Sequence, residues 1–575
     1  MKNLEISEIF SKMADILELK DDNIFKINAY RKASRILKDL QEDVQDLRKS
    51  NSLKEIPGFG KAIVGKIDEY LSSGKIIRYE ELKSEISKGL IKLLKVNNLG
   101  PKTVVLANKK LAVKNINDLK RVIKDGSLAQ LPGMGEKKVS NIKKSVEYFL
   151  KSQKRITLGS ALPIAEEIVE QLKEKFSKEE IVIAGSIRRR KETTGDIDIL
   201  IASVHNKGVI DSFVKLPMVT DIIAQGETKG SVRINEGFQV DLRVVQPDSF
   251  GAAMQYFTGS KAHNIKLRGL AKKRSLKINE YGVFKGEKKI CGTTEEEVYK
   301  SLGLNWIPPE MREDRGEVEL SFENKLPDLI ELKDIKGDLH VHSNYSDGHY
   351  SIKDMAEKAK ELGYEYLGIC DHSKAAYYAN GVNEERLFDQ MKEIDALNET
   401  INGFQILKGI EVDILPDGSL DFSDDILKQL DIVVASIHSA FKQSPTDRIL
   451  KAIENPYVDI IAHPTGRLIN IREGYKIDLN QIFKKAAQTG TAIELNSHPD
   501  RLDLSDFNAK KAADMGVIIS IDTDSHMIEH LPNMKYGIGT ARRAWLSKDN
   551  VLNCLSYEKI LNRRNERIRN ENCNC

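Results

Sequence analysis

The chain has 575 residues, too many for one hydrophobic core, and its 40% hydrophobic and 30% charged residues describe an ordinary globular protein of about three to five compact units. Lys plus Arg (89) barely exceeds Asp plus Glu (86), so the net charge of +3 does not by itself announce a nucleic-acid binder, yet basic residues are dense up to about residue 155 while acidic and histidine residues gather later. No apolar run reaches the roughly 18 residues of a membrane span, "MKNLEISEIF" is unlike a signal peptide, and Cys291, Cys370, Cys554, Cys573 and Cys575 have no disulfide-framework or zinc-ribbon spacing; the expectation is a cytoplasmic protein with no membrane partner.

Three similar phrases come first in the chain: "IPGFGKAI" from Ile56, "NNLGPKTV" from Asn97 and "LPGMGEKKV" from Leu131. They place Gly58, Gly60 and Lys61, then Gly100 and Lys102, then Gly133, Gly135 and Lys137 at the entry to amphipathic runs. Glycine permits a tight turn between two helices. The bare N–H groups opening the second helix, with its dipole, suit a phosphate. One copy would read as a helix that simply ends at glycine. Three copies within 150 residues point to a sequence-independent grip on a DNA backbone. The phrases resemble helix-hairpin-helix motifs.

Next comes "EEIVIAGSIRRRKETTGDIDILIAS". Ile181 to Ala184 reads as a strand, Gly185-Ser186 as a turn, and "DIDILIAS" as a second strand. Residues two apart on a strand share a face, so Asp196 and Asp198 project together. Adjacent carboxylates repel unless a cation sits between them. Asp241 in "FQVDLRVVQ" is a third candidate on a strand that could lie alongside. Three carboxylates around one pocket suit two Mg²⁺ ions, which serve attack by a 3′ hydroxyl and loss of pyrophosphate. Gly185 and Ser186 would approach a triphosphate closely and Arg189, after Arg188, would neutralise it. A lone D-x-D is equally a solvated strand edge; the full phrase is more specific.

With "VDLRVV", "YFTGSKAHNIKLRGLA", "INEYGVF" and "WIPPEMREDRGEVEL" following in order, the chain to about Leu320 resembles a family X DNA polymerase. The resemblance implies that Tyr256 and Phe257 line the nucleotide's sugar, that the Gly259 turn keeps the site close to the ribose, and that Asn264 and Arg268 touch the nucleotide, the template base or the minor groove. Ordinary core packing is the bland reading of the two aromatics. Gln239 stands where the family often has an arginine bonded to the third carboxylate, so Asp241 is expected to be tuned differently. "FKINAYRKASRIL" and "GFGKAIVGKIDEYLSSGKI" resemble the family's small N-terminal domain, which in some members removes a 5′-deoxyribose phosphate. That match puts Lys66 at the Schiff-base position, with Lys26 and Tyr30 in support, but Ala62 replaces a lysine expected nearby. Lys66 as lyase nucleophile and Lys66 as one more DNA-facing lysine stand level.

After residue 335 the pattern becomes alternating strands and helices, and apolar runs end in metal-capable residues. His340, His342 and Asp347 come first, then His372, Glu411, His438, His463, Asp524 and His526. Strand, ligand, helix, repeated about seven times, predicts a parallel barrel whose strand ends gather these residues on one rim. Six His, two Asp and one Glu suit Zn²⁺, Mn²⁺ or Fe²⁺ and suffice for up to three ions. The region resembles a PHP (polymerase and histidinol phosphatase) domain with all nine metal positions intact, which implies a working phosphoesterase. Glu494 and His498 are read as supporting residues, and Arg467 as a phosphate contact.

The expected fold is therefore multidomain α+β and α/β. A helical DNA-binding domain (1–85) and helix-hairpin-helix fingers (86–153) precede a nucleotidyltransferase palm (154–252) and thumb (253–320). A linker (321–335), a distorted (β/α)7 PHP barrel (336–556) and a polar tail expected to fray (557–575) complete it. The expected function is short-gap filling in DNA repair, with Mg²⁺ at the polymerase site and Mn²⁺ or Zn²⁺ at a PHP 3′–5′ exonuclease, AP-endonuclease or 3′-phosphatase site. Substrates would be gapped or nicked DNA and dNTPs, and the protein a monomer. The alternatives are a polymerase fused to a structural or small-molecule-phosphatase PHP domain, and a non-catalytic repair scaffold.

Overall fold

The computed structural model describes residues 2–573 apart from 21, 40–43, 50–51, 57, 86–89, 91–92, 94–95, 97–98, 153–154 and 235–236. The chain divides into two compact units, Met1–Lys154 and Arg155–Cys575.

The first unit is helical because its apolar residues recur at helical spacing. Ile6, Phe10, Met13 and Leu17 line one face of helix Lys2–Leu19 and pack on Tyr30 and Leu37 of helix Ile24–Asp39 and on Ile67 of helix Lys61–Ser73. Val104, Leu119, Val122 and Val146 form a second small core between helices Pro101–Leu111, Ile116–Lys124 and Glu136–Ser152. The middle helix starts where Asn115 caps it, its side chain accepting from the N–H groups of Asn117 and Asp118.

In the second unit, a five-stranded sheet runs in the spatial order Glu180–Ile183, Asp196–Ala202, Gln239–Val245, Lys229–Ile234, Val219–Gln225. Gln239–Val245 alternates strictly between buried and half-buried residues, and Asp196–Ala202 alternates between buried and more exposed residues over its first four. Ile197, Ile199 and Ile201, with Val240, Leu242 and Val244, enter the core with helix Leu158–Lys175, which leaves the alternate residues Asp196, Asp198 and Asp241 on the opposite face. A thumb follows, with helices Phe250–Thr258, Lys261–Lys273 and Glu295–Ser301 around a three-stranded antiparallel sheet.

The last part carries seven parallel strands in sequential order from Gly337–Val341 to Ile519–Asp522, with helices between them. A parallel bridge from Val341 to Ser525 joins the last strand's end back to the first. The expected (β/α)7 barrel is present, and its strands are almost wholly buried, as parallel strands covered on both faces must be; the exceptions in Gln405–Asp413 are the half-buried Gln405 and Lys408.

Palm, thumb and barrel form one unit. Ile469, Leu502 and Tyr536 of the barrel complete the palm's own core. The stretch read as a linker is a packed strap: Ile330 is 1% exposed, its N–H donates to the Leu546 carbonyl (2.9 Å), and its carbonyl accepts from Arg542 (3.0 Å). The tail expected to fray is helix Tyr557–Cys573. Ile560 packs beneath the barrel, and Arg564, 5% exposed, pairs with Asp459 and donates to the carbonyls of Tyr457 (2.7 Å) and Leu427 (2.9 Å). Its polarity is real, but three residues at helical spacing (Ile560, Arg564 and Arg567) are enough to dock it. Among the described residues no helix is long and apolar enough to cross a membrane.

Candidate active sites

The register of the palm sheet brings its carboxylates together. Asp198 lies directly beside Asp241, and Asp196 beside Gln239, on parallel neighbouring strands. Burial, reinforced by Asp196 and then Asp241, pushes Asp198 up to about 7, and burial with Asp241 also raises Asp196. Three oxygen-only donors on neighbouring strands are a donor set that fits hard divalent cations. Gly185, at φ +62°, opens a single-turn helix, Gly185–Arg188, rather than a plain turn. A Cβ at that position would collide with Asp198 Oδ2. Gly185→Ala is expected to cut primer extension at least about a hundredfold, since even a small displacement of a catalytic group costs that much, while phosphodiester hydrolysis at the barrel is unchanged. Primer-extension kinetics measure it.

The charge that Gln239 does not supply comes from elsewhere. Gln239 Nε2 donates to Asp241 Oδ1 (2.8 Å), and Lys229 Nζ, on the neighbouring strand, lies 3.0 Å from Asp241 Oδ2. Arg243, two residues beyond Asp241, lies over the Phe257 ring at 4.5 Å. Tyr256 and Phe257 are half-buried and meet edge to face at 5.1 Å; Phe257 also packs on the palm's second core. Asn264 is buried and committed, donating to the Tyr256 carbonyl (2.7 Å) and accepting from Gln255 (2.7 Å). Arg268 donates to the Asn264 carbonyl (3.2 Å) but remains exposed at the surface. Ser186 Oγ sits 2.6 Å from Thr194 Oγ1. Gly259, at φ +71°, lies against Arg189.

Arg189 itself is tied into a buried network. Its Nε donates to Glu313 (3.1 Å) and its guanidinium also reaches the Thr258 carbonyl. Arg543, at the end of helix Met534–Arg543 in the barrel, donates to the Arg189 carbonyl (2.8 Å), to Glu313 (3.0 Å) and to Asp506 (2.8 Å). A barrel residue thus holds the palm loop. Arg543, 4% exposed, leaves two acidic partners short of a cation when removed, so Arg543→Met is expected to destabilise this unit by about 3 kcal/mol. Thermal denaturation reads that loss, and a rise in KM for dNTP reads the loosened loop.

The barrel's strand ends gather all nine expected ligands. His342 Nε2 is 3.2 Å from Asp524 Oδ1, and His526 Nε2 is 3.2 Å from Asp347 Oδ1. Glu411 is central: Oε1 lies 3.2 Å from His463 and 3.4 Å from His438, while Oε2 lies 2.7 Å from His372 and 3.6 Å from His340. Their donor atoms form three overlapping groups, His342 with Asp347, His372 and His526, then His340 with His342 and Asp524, then His372 with Glu411 and His438. His372 Nδ1 and Glu411 Oε2, though 2.7 Å apart, make no hydrogen bond with each other or with any other described atom; buried His342 Nδ1 and His463 Nδ1 are likewise unbonded. Burial, with His526 and His372, pushes His342 down to about 3; burial, with Arg501, pushes His463 down to about 4. Neutral imidazoles and unbonded carboxylate oxygens are the ligand forms a divalent metal requires. His463 and Asp524 take positive φ (25° and 53°), strain that the surrounding strands enforce.

Glu494 supports the site as expected. Its Oε1 holds His340 Nδ1 (2.7 Å), and its Oε2 accepts the His463 N–H (2.5 Å). His498 sits outside the cluster, edge to face with His530 at 5.7 Å. Arg467 is not at the metal basin. It pairs with Glu192 of the palm (2.8 Å) and bonds the Leu502 carbonyl, so it is an interdomain tie. Asp413, 3.3 Å from His438 Nδ1, and Arg501, 3.7 Å from Asp524, belong to the basin and were missed. Asp413 lies two residues from Glu411, the same spacing that marked Asp196 and Asp198, and could have been found by it.

In the helical unit, Gly60 and Gly100 open helices without any side-chain cap, and a Cβ at Gly60, Gly100, Gly133 or Gly135 would meet only open space. Neither packing nor a positive φ demands glycine at Gly60, Gly100 or Gly135, whereas close approach of a phosphate would; Gly133, at φ +73°, is required by its turn. Gly58, at φ +111°, is likewise required by its turn. Lys61 is exposed; the side chains of Lys102 and Lys137 lie outside the described residues. Lys66 is half-buried on helix Lys61–Ser73, Tyr30 is buried against Phe10, and Lys26 pairs with Asp22 at 3.2 Å.

Family models match this arrangement segment by segment: a helix-hairpin-helix domain over residues 1–76, a DNA polymerase beta palm over 161–246, a DNA polymerase beta thumb over 253–313 and a PHP domain over 338–498. The chain is 43% identical over 573 residues to "DNA polymerase/3'-5' exonuclease PolX" of Bacillus subtilis (strain 168), covering 97% of this chain and 99% of that protein. The chain belongs to the PolX family of DNA polymerases. The PHP part alone is also similar to a "Probable phosphatase" of Thermoanaerobacter sp. (strain X514), 35% identical over 38% of this chain and 89% of that protein. A "Probable phosphatase" of Acetivibrio thermocellus is 28% identical over 40% of this chain and 97% of that protein. PolX membership brings divalent-metal dependence at both sites, and the carboxylate triad and the His-rich basin fit it.

Proposed function

We propose that this PolX chain fills short gaps during DNA repair and trims DNA 3′ ends at its barrel. The observation that carries the polymerase reading is the register of Asp198 beside Asp241 with Gly185 pressed against them. Asp196, Asp198 and Asp241 would hold Mg²⁺, which supplies charge stabilisation to a 3′ hydroxyl attacking an α-phosphate. The chain's own part is positional. Lys229 and Gln239 fix Asp241, Gly185 and Ser186 leave room for phosphates, and Tyr256 and Phe257 offer a wall for the sugar. Arg268 is the exposed cation of the thumb site. The hairpin glycines and Lys61 would hold the DNA backbone, and Lys66 is proposed as a weak lyase nucleophile, tested by borohydride trapping on incised abasic DNA.

His340, His342, Asp347, His372, Glu411, His438, His463, Asp524 and His526 would hold up to three Mn²⁺ or Zn²⁺ ions, which supply an activated water for phosphoester hydrolysis. Glu494 and Asp413 keep His340 and His438 oriented. AP-endonuclease or 3′-phosphatase action would use the same basin. The working form is read as a cytoplasmic monomer acting on gapped or nicked DNA and dNTPs. A 5′-labelled primer on one-nucleotide-gapped DNA with Mn²⁺ tests the whole reading: the protein should both extend and shorten it. Extension without shortening would favour the second reading, a small-molecule phosphatase barrel, which the likeness of residues in the PHP part to the phosphatases supports. Turnover of a free phosphomonoester at least matching that of a DNA 3′ end would establish it.

A further inference from the structure

Two tyrosines stand in solvent at the edge of the metal basin. Tyr377 is 86% exposed and Tyr378 64%, in a single turn, Tyr377–Ala379, on the loop that leaves His372. Two adjacent exposed rings at the edge of a reaction centre are a surface on which a flat ligand can stack.

The turn is held rigidly, which separates it from a loop whose side chains merely sample solvent. Ala376 and Ala379, which flank the two tyrosines in the chain, are 1% and 2% exposed. The Val382 N–H donates to the His372 carbonyl (2.7 Å), and the Ala375 N–H to Asp421 (2.6 Å). A Cβ at Gly381 would collide with the Ser373 carbonyl. Arg386 donates to the Asn380 carbonyl (3.0 Å) and to the Tyr345 carbonyl, which binds the turn to the segment carrying Asp347. The rings are therefore presented at a defined place. Tyr378 lies 6.5 Å from the His372 ring and 6.4 Å, edge to face, from the His438 ring; Tyr377 meets Tyr378 edge to face at 6.2 Å. His340 and His342 lie fully buried at the basin floor, so a phosphoester bound among the ligands leaves whatever it carries near this rim.

We propose that Tyr377 and Tyr378 form a nucleobase platform, on which the base of the nucleotide being removed stacks while its phosphodiester lies among the nine ligands. Aromatic rings accept any base face, so the platform adds affinity without reading sequence. A phenol ring does this without its hydroxyl. This inference rests on the reading of the barrel as a nuclease acting on DNA ends.

The test uses the full-length protein with Mn²⁺ and two 5′-labelled single strands that differ only at the 3′ end, one closing with thymidine and one with a tetrahydrofuran residue that has no base. Y377A/Y378A is expected to raise KM about tenfold on the thymidine end with little change in kcat. The same variant is expected to match wild type on the baseless end. Y377F/Y378F should match wild type on both. Unchanged primer extension and an unchanged melting temperature exclude misfolding. Equal losses on both ends, no loss on either, or a phenylalanine pair that fails like the alanine pair would each overturn the platform. If wild type shortens neither strand, with Mn²⁺ or with Zn²⁺, the nuclease reading itself fails, and the platform goes with it; that result is distinct from a change confined to the tyrosine variants.

Discussion

Asp198→Asn loses primer extension by about a thousandfold or more while shortening of the same primer continues. Losing a divalent-metal ligand removes several kcal/mol of transition-state stabilisation, and each 1.4 kcal/mol is tenfold in rate. The same substitution has an opposite effect on stability, and its sign follows from the pKa. Asp198 has its folded value raised to about 7 from an unfolded value of 3.8, chiefly by burial. The folded protein therefore holds the proton more tightly than the unfolded chain. Below about pH 4 the shift costs nothing; the cost grows as pH rises from about 4 to about 7, where the unfolded chain is ionised and the folded one is not, and is fully present above about 7. In EDTA, Asp198→Asn is expected to melt above wild type at pH 8, and the difference is expected to shrink as pH falls below 7. Added Mg²⁺ should stabilise wild type and not the variant. An equal melting temperature at pH 8 in EDTA, or undiminished extension, would refute the role.

Glu411→Gln gives the mirror result at the barrel. Primer shortening falls about a thousandfold or more and extension remains. Glu411 is the carboxylate on which His340, His372, His438 and His463 converge, and a neutral amide would offset none of the charge of a cation held there. Metal bound per chain, measured by elemental analysis after gel filtration, is expected to fall with it. Retained metal and retained shortening would mean that Glu411 is a packing residue. Together the two variants establish whether two independent centres work on one DNA.

Both centres were visible in the sequence for the same reason: their residues obey the shortest structural periods. Asp196 and Asp198 sit two apart on a strand whose alternate residues, Ile197 and Ile199, had to enter a core. The barrel ligands each close an apolar run, and the ends of parallel barrel strands meet by construction. Asp241 was readable as a candidate only because "FQVDLRVV" alternates in the same way. The C-terminal helix shows the converse. Its mean polarity hid the three residues, Ile560, Arg564 and Arg567, that dock it, because Asp459, the partner of the two arginines, lies about a hundred residues away.

The sequence by itself determined the order of helical, mixed and alternating β/α regions along the chain and which face of each strand the candidate residues take, since period-two and helical patterns are local and survive without neighbours. Only the tertiary structure decided who stands beside them. Lys229 replaces the charge that Gln239 lacks, Arg467 ties the barrel to the palm instead of meeting a phosphate, and Arg543 reaches from a barrel helix to the loop bearing Arg189. Those pairings join residues from about a dozen to more than three hundred and fifty positions apart. Their partners are chosen by how folded elements close on one another, and a charge's worth depends on the burial that closure creates.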